Sequence, residues 1–215
     1  IDIKDFKTIN SIYGNQYGDT IIKIIGDALK QVDASIALMA RFSGNEFAVW
    51  ITGLDDETLT RRLNLYKAMV IQSLHDHDLD HKLDFFVSCS VYPDFGKTFE
   101  DCYQQANIAM QYAKQDNANH IVMYESRMFQ SLEREADIRN HASYGIANNE
   151  FYLCYQKKVD CRTGHVVGFE SLARWDSKEL GPISPGVFIP IFTKSNFISE
   201  FTEHIVCKAL DDFPR

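Results

Sequence analysis

The sequence has 215 residues, 45% of them hydrophobic and 24% charged, and its 22 Lys and Arg against 30 Asp and Glu give a formal net charge of −8. That is globular composition, which excludes a disordered tail or a fibre. The acidic balance argues against non-specific binding to nucleic acid or anionic lipid. The length suits one ordinary domain and part of another. No apolar run approaches the ~20 residues of a membrane span, and no secretory signal opens the chain. Five cysteines without a Cys-x-x-Cys pair fit a reducing cytoplasm. Because Ile1 opens directly in a strand-like run, the expectation is that the native chain begins upstream.

In chain order, Ile1 to Phe6 reads as the end of a buried strand and Ser11 to Gly18 as a polar turn. Ile21, Ile22, Ile25, Ala28 and Leu29 fall on one face of a helix that starts at Gly18 or Asp19. Ile36 to Arg41 and Phe47 to Ile51 form a hairpin around Gly44. Thr58 to Leu74 is a helix, Leu83 to Val91 an alternating strand, Phe99 to Lys114 a helix, and His120 to Tyr124 a short strand. This α/β order predicts a sandwich around a mixed sheet over residues 1–125. Residues 126–149 read as a charged helical linker. Residues 150–215 hold a strand pair, Phe151 to Val159 and His165 to Ser171, then a proline-punctuated loop and a helix over Glu200 to Leu210. Their apolar strand residues, among them Phe151, Val159, Val166, Val167 and Phe169, are expected to lack cover within residues 150–215.

Asp2 sits at a strand end facing a turn that leads to a helix. A carboxylate there fits either a magnesium ligand or a solvated strand-end acid. Gly44 lets phosphates approach the main chain, or simply makes a tight turn. His75-Asp76-His77-Asp78-Leu79-Asp80-His81 alternates acids and imidazoles, but as a polar connector it is assigned no metal.

Taken together, Asp2-Ile3-Lys4-Asp5-Phe6-Lys7, Asn10, Gly14, Gly18-Asp19 and Arg41-Phe42-Ser43-Gly44-Asn45-Glu46-Phe47 resemble the GGDEF domain of diguanylate cyclases, and Ala106 to Lys114 resembles its penultimate helix. The family joins two GTP into cyclic di-GMP with two divalent metals, one nucleotide per subunit. The resemblance implies Mg²⁺ or Mn²⁺ at Asp2, the Ile3 carbonyl and position 45. It implies guanine at Asn10 and Asp19, phosphates at Lys7, Lys114 and Gly44, and Glu46 beside the attacking hydroxyl.

The departures are specific. The loop reads Ser-Gly-Asn-Glu-Phe, so Ser43 replaces a glycine and Asn45 an acidic metal ligand. Lys4, Asn15 and Ala118 replace an acid, a histidine and a phosphate-binding arginine. The family's inhibitory Arg-x-x-Asp is here Ala34-Ser35-Ile36-Ala37. Losing one preorganised charge stabiliser typically costs about 10²–10³ in rate, so cyclase activity is expected to be near nothing while guanine recognition survives.

Tyr155-Gln156, Gly168 to Trp175 and Ile183 to Pro190 resemble the N-terminal part of an EAL domain, a TIM-like barrel that hydrolyses cyclic di-GMP. Glu170 matches its motif glutamate, a metal ligand, and Arg174 and Gln156 match ligand-contacting residues. The family's other metal ligands come from later strands, and such a barrel needs roughly 200 residues or more. Residues 150–215 are therefore an incomplete barrel start, expected not to hydrolyse cyclic di-GMP alone.

The resemblance implies a cytoplasmic cyclic di-GMP signalling protein whose degenerate GGDEF domain is regulatory and takes GTP, with GTP or cyclic di-GMP as ligand and a homodimer or a partner protein as assembly. Nucleic acid and membrane are not expected partners of this segment. A working cyclase and a nucleotide-free scaffold remain the alternatives.

Overall fold

The structure is a computed structural model and describes residues 1–31, 36–53, 55–79, 83–115 and 121–212. Two compact units divide it, Ile1–Phe129 and Gln130–Arg215, with the boundary inside one helix.

In the first unit the elements run β1 (Asp2–Ile3), α1 (Phe6–Tyr13), α2 (Asn15–Gln31), β2 (Ile36–Ser43), β3 (Glu46–Ile51), α3 (Asp56–His75), β4 (Phe85–Cys89), α4 (Phe99–Gln115) and β5 (Ile121–Met123). The sheet is mixed, in the order β2-β3-β1-β4-β5. β4 and β5 are parallel and the other pairings antiparallel. The very short β1 therefore sits mid-sheet, flanked on both sides. Ile3, Phe6, Ile21, Ile25, Leu29, Phe47, Val70 and Phe85 form one core cluster. Leu59, Leu63 and Tyr66 form another on the inward stripe of α3. Asp55 caps α3 by accepting from the Thr58 N–H at 2.8 Å, which fixes where that helix starts.

Two local expectations differ from the structure here. The strand expected over Ile1 to Phe6 stops at Ile3, and Ser11 to Gly18 is mostly helix. Phe6 is buried and opens α1, and Gly14, at φ +86°, breaks the helix between α1 and α2. A polar surface masked the helical spacing of Phe6 and the partly buried Ile9 and Asn10.

The rest of the described chain is α5 (Ser126–Ala147), β6 (Phe151–Val159), β7 (Val166–Ser177), β8 (Gly181–Ile183), α6 (Pro185–Lys194) and α7 (Ile198–Asp212). Its antiparallel sheet has the order β6-β7-β8. The sequence predicts a helical linker over 126–149. The helix is there, and from Gln130 it belongs to the second unit, giving Ile138 and Ala142 to a core with Phe151, Trp175, Phe188, Phe192 and Phe201. The expected proline loop is instead β8 and α6, because Pro185 takes the first helical position, where its missing N–H is not needed. Cover for the strands runs out toward the β6–β7 hairpin end. Phe151 is fully buried, while Val159, Val166, Val167 and Phe169 remain exposed.

Glu150 fastens this unit from inside. It is buried, accepts from Trp175 Nε1 at 3.0 Å and accepts from the Lys178 N–H at 3.3 Å. Burial alone would raise its pKa, but these donors and Ser177 outweigh it and hold the carboxyl below the ordinary glutamate value. A depressed folded pKa gives stability present above the unfolded value and lost as pH falls through the folded one. The second unit should therefore loosen below the ordinary glutamate range, and Glu150→Gln should remove that acid limb. Trp175 fluorescence against pH reads both in a Trp50→Phe background, which removes the other tryptophan of the chain.

The backbone of α5 also lies close against the strands. A Cβ on Gly145 would come within 2.9 Å of the Phe151 ring and 3.1 Å of Trp175 Nε1. Overpacking a core typically costs about 1–3 kcal/mol, offset only in small part by valine's better helix propensity than glycine's. Gly145→Val should lower the second unit's stability by roughly 1–3 kcal/mol in urea unfolding, whereas a surface linker would show no loss.

Candidate functional site

The central strand β1 places Asp2 opposite Glu46 of β3 and Phe86 of β4. Asp2 is 4% exposed, although a lone carboxylate avoids burial. Desolvation pushes its pKa up, and the Lys114 ammonium opposes this from the last turn of α4, with Nζ 2.7 Å from Oδ2. The other carboxylate oxygen, Oδ1, accepts from Asn45 Nδ2 at 3.2 Å. The same Nδ2 donates to the Ile3 carbonyl at 3.0 Å, and the Ile3 N–H donates to the Asn45 carbonyl at 3.2 Å.

Position 45 is in the turn between β2 and β3, where Ser43 pairs with Glu46. The fold thus assembles Asp2, the Ile3 carbonyl and Asn45, the three groups assigned to a metal by resemblance. Their bonding does not fit Mg²⁺ or Mn²⁺. A hard cation needs oxygen lone pairs converging on it. Here the two oxygens flanking Asn45 converge on N–H groups, and an ammonium holds the remaining carboxylate oxygen.

Glu46 is engaged as well, because Ser43 Oγ donates to its Oε2 at 3.0 Å. Arg41 clasps the turn, with Nε at 3.1 Å and Nη2 at 2.7 Å from the Gly44 carbonyl. Nothing lies within 4 Å of a Cβ placed on Gly44, so the main chain there is open to approach. Lys4, expected to bring a like charge to the metal position, lies with Nζ 5.6 Å from the centre of the Phe86 ring, where a cation is attracted to the aromatic face.

At the α1–α2 junction Asn10 Oδ1 is buried without a hydrogen-bond partner. A Cβ on Gly18 would lie 1.9 Å from that oxygen and 3.0 Å from the Phe6 ring, so the glycine makes the space for the amide. Asp19 follows on the same turn of α2 and is exposed, as is Lys7 on α1. Asn15 is the first residue of α2. Ala118 and Ala34-Ser35 lie outside the described residues. Among those described, no group of three or more His, Cys, Asp and Glu is arranged to hold a metal ion.

An adjoining cavity of about 410 Å³ in this unit is lined largely by apolar groups, including Trp50, Leu63, Tyr66, Val91, Tyr103 and Met110. Glu46 also borders it.

In the second unit the register pairs Gln156 with Glu170 and Tyr152 with Arg174. Side chains two apart share a face of a sheet, so Gln156, Glu170 and Arg174 stand on one face, opposite the core face of Phe151 and Trp175. Glu170 Oε2 is 3.7 Å from Lys158 Nζ, and Arg174 Nη1 donates to the Ala173 carbonyl at 2.8 Å. Sequence reasoning missed Arg41 and Glu150. Arg41 three residues before a hairpin glycine, and an acid at a strand start with a tryptophan on the next strand, were the available signals.

The family model "Diguanylate cyclase, GGDEF domain" matches residues 1–120, and the EAL domain model matches residues 138–215. The biofilm architecture maintenance protein MbaA of Vibrio cholerae is 27% identical over 99% of this chain and 28% of its own length. The bifunctional diguanylate cyclase/cyclic di-GMP phosphodiesterase MucR of Pseudomonas aeruginosa is 26% identical over 97% of this chain and 30% of its own. The cyclic di-GMP phosphodiesterase NbdA of the same organism is 24% identical over 99% of this chain and 27% of its own. The chain thus spans less than a third of these relatives.

The Asn10–Gly18 fit gives a direct test. Gly18→Ala should drive the Asn10 amide from its place and cost about 1–3 kcal/mol in thermal unfolding, despite alanine's better helix propensity. Gly18→Ala combined with Asn10→Ala should recover part of that loss, because the amide is struck hardest and the Phe6 ring contact remains.

Proposed function

Because the chain belongs to the GGDEF family and runs on into an EAL-type segment, we propose that it is the junction of a cytoplasmic cyclic di-GMP signalling protein in which the GGDEF domain regulates rather than synthesises. It takes GTP by the guanine and leaves the phosphates without the metal charge that phosphoryl transfer uses. The EAL-type segment supplies Glu170, Gln156 and Arg174 to a site for cyclic di-GMP that further chain completes.

One observation carries this reading: the unpartnered, buried Asn10 Oδ1 held over Gly18. A buried acceptor left unpaired costs about 1–3 kcal/mol. A ligand whose binding rearranges this amide onto N–H donors recovers that cost. Beside it, Asp19 provides a carboxylate suited to two guanine N–H groups. Position 45 in turn carries an amide, a poorer ligand for a hard cation than a carboxylate, and Ser43 holds Glu46.

Calorimetry of GTP with and without Mg²⁺ tests the reading. Binding should change little with Mg²⁺ and fall about tenfold or more in Asp19→Ala, as loss of a charged hydrogen-bond acceptor implies. No binding heat at millimolar GTP, or indifference to Asp19→Ala, would sink it. Cyclic di-GMP synthesis should stay more than ~100-fold below an ordinary ~1 s⁻¹ enzyme. Asn45→Asp with Ala118→Arg should raise it more than either change alone, because both act on the same phosphate charge.

A further inference from the structure

We propose that Asn45 is a built-in replacement for a divalent cation, so that, with Lys114 paired to the other oxygen of Asp2, the position at Asp2 is satisfied from within and closed to metal. This deepens the regulatory reading above and rests on it for its biological meaning, but its chemistry stands on the side-chain bonding alone.

Asp2 is a buried carboxylate on the central strand, and it needs positive charge or donors at both oxygens. An aspartate at position 45 would bring a second carboxylate against Asp2 and the Ile3 carbonyl, three acceptor groups with no donor among them. Only a cation, or protonation, relieves that arrangement. Asparagine has nearly the same shape but carries an NH₂ group. Its Nδ2 lies within hydrogen-bond distance of both Asp2 Oδ1 and the Ile3 carbonyl, at 3.2 and 3.0 Å. Its two N–H bonds suffice for those two acceptors. Lys114 then supplies the unit charge, 2.7 Å from Asp2 Oδ2.

A divalent ion entering here must displace both N–H contacts and sit beside an ammonium. Rotating the amide to offer Oδ1 instead loses both bonds and leaves the NH₂ to find new acceptors. The exchange of acid for amide at this one position therefore does more than weaken a ligand. It ties β1, the β2–β3 turn and α4 together through one carboxylate and leaves no lone-pair cage open.

Manganese titration of the whole 215-residue chain, without nucleotide, is the test, read by the electron paramagnetic resonance of free Mn²⁺. The wild type should show no micromolar site that Asp2→Asn removes. Asn45→Asp should gain one such site, lost again when Asp2→Asn is added. Its melting temperature should rise by roughly 5 °C or more on replacing chelator with Mg²⁺, while the wild type stays unchanged. A micromolar wild-type site lost in Asp2→Asn overturns the proposal, as does a folded Asn45→Asp that gains none. If Asn45→Asp does not fold even with Mn²⁺, Asn45→Ala decides. An unchanged melting temperature there overturns the proposal, and a clear fall supports it. Failure to bind GTP would overturn the regulatory reading and leave these metal measurements standing.

Discussion

A carboxylate buried in the middle of a sheet sets the terms for the first unit. Asp2 occupies half of a strand that is only Asp2–Ile3, yet that strand joins the β2–β3 hairpin on one side to β4 on the other. Taking the charge out of water is tolerable only because Lys114 and Asn45 meet it. Those partners come from the far end of α4 and from the hairpin turn, so three remote pieces of sequence are held in register by one side chain. The Arg41 clasp on the Gly44 carbonyl keeps the turn in the shape that aims Asn45 inward.

The second unit solves a similar problem with the opposite economy. Its sheet packs one face against α5, α6 and α7, with Phe151 and Trp175 in an aromatic cluster and Glu150 satisfied by the indole N–H. The other face carries Gln156, Glu170 and Arg174 and is left unused by the core. Polar chemistry and apolar packing are separated by the two-residue period of the strand. The residues matched to ligand contacts therefore stand clear of anything the core needs.

Much of this was legible in the sequence, and the misses have physical causes. Long periodic elements such as α3 and α4 and the Gly44 hairpin were readable because a buried stripe or a turn residue marks each. α1 was missed because Lys7, Thr8 and Ser11 crowd its exposed side and Phe6 sat next to a real strand. α6 is hard to read because Pro185 and Pro190 both resemble loop markers; Pro185 sits at the first helical position, where a proline costs nothing, and Pro190 lies inside the helix. At the site, residue identities at 2, 3, 10, 19, 45 and 46 could be read by resemblance. The direction of their hydrogen bonds could not. That Asn45 would donate to two expected metal ligands at once, or that Ser43 would hold Glu46, depends on side chains brought together from separate elements.

The two halves of the proposed nucleotide site respond differently to substitution, and this makes a regulator a natural outcome for such a sequence. In that proposal, base recognition would rest on hydrogen bonds from α1 and α2, whose packing around Phe6 and Ile21 belongs to the core. Phosphoryl chemistry rests on converging charge at the turn, where one acid-to-amide exchange puts a donor between two acceptors in place of a third acceptor. The second can be lost while the first is kept by the stability of the fold. On the proposed reading, a domain left in that state would be occupied or empty according to GTP concentration and would not be reset by turnover. In the proposed reading, that occupancy is the signal the GGDEF domain passes to the EAL-type chain that follows it.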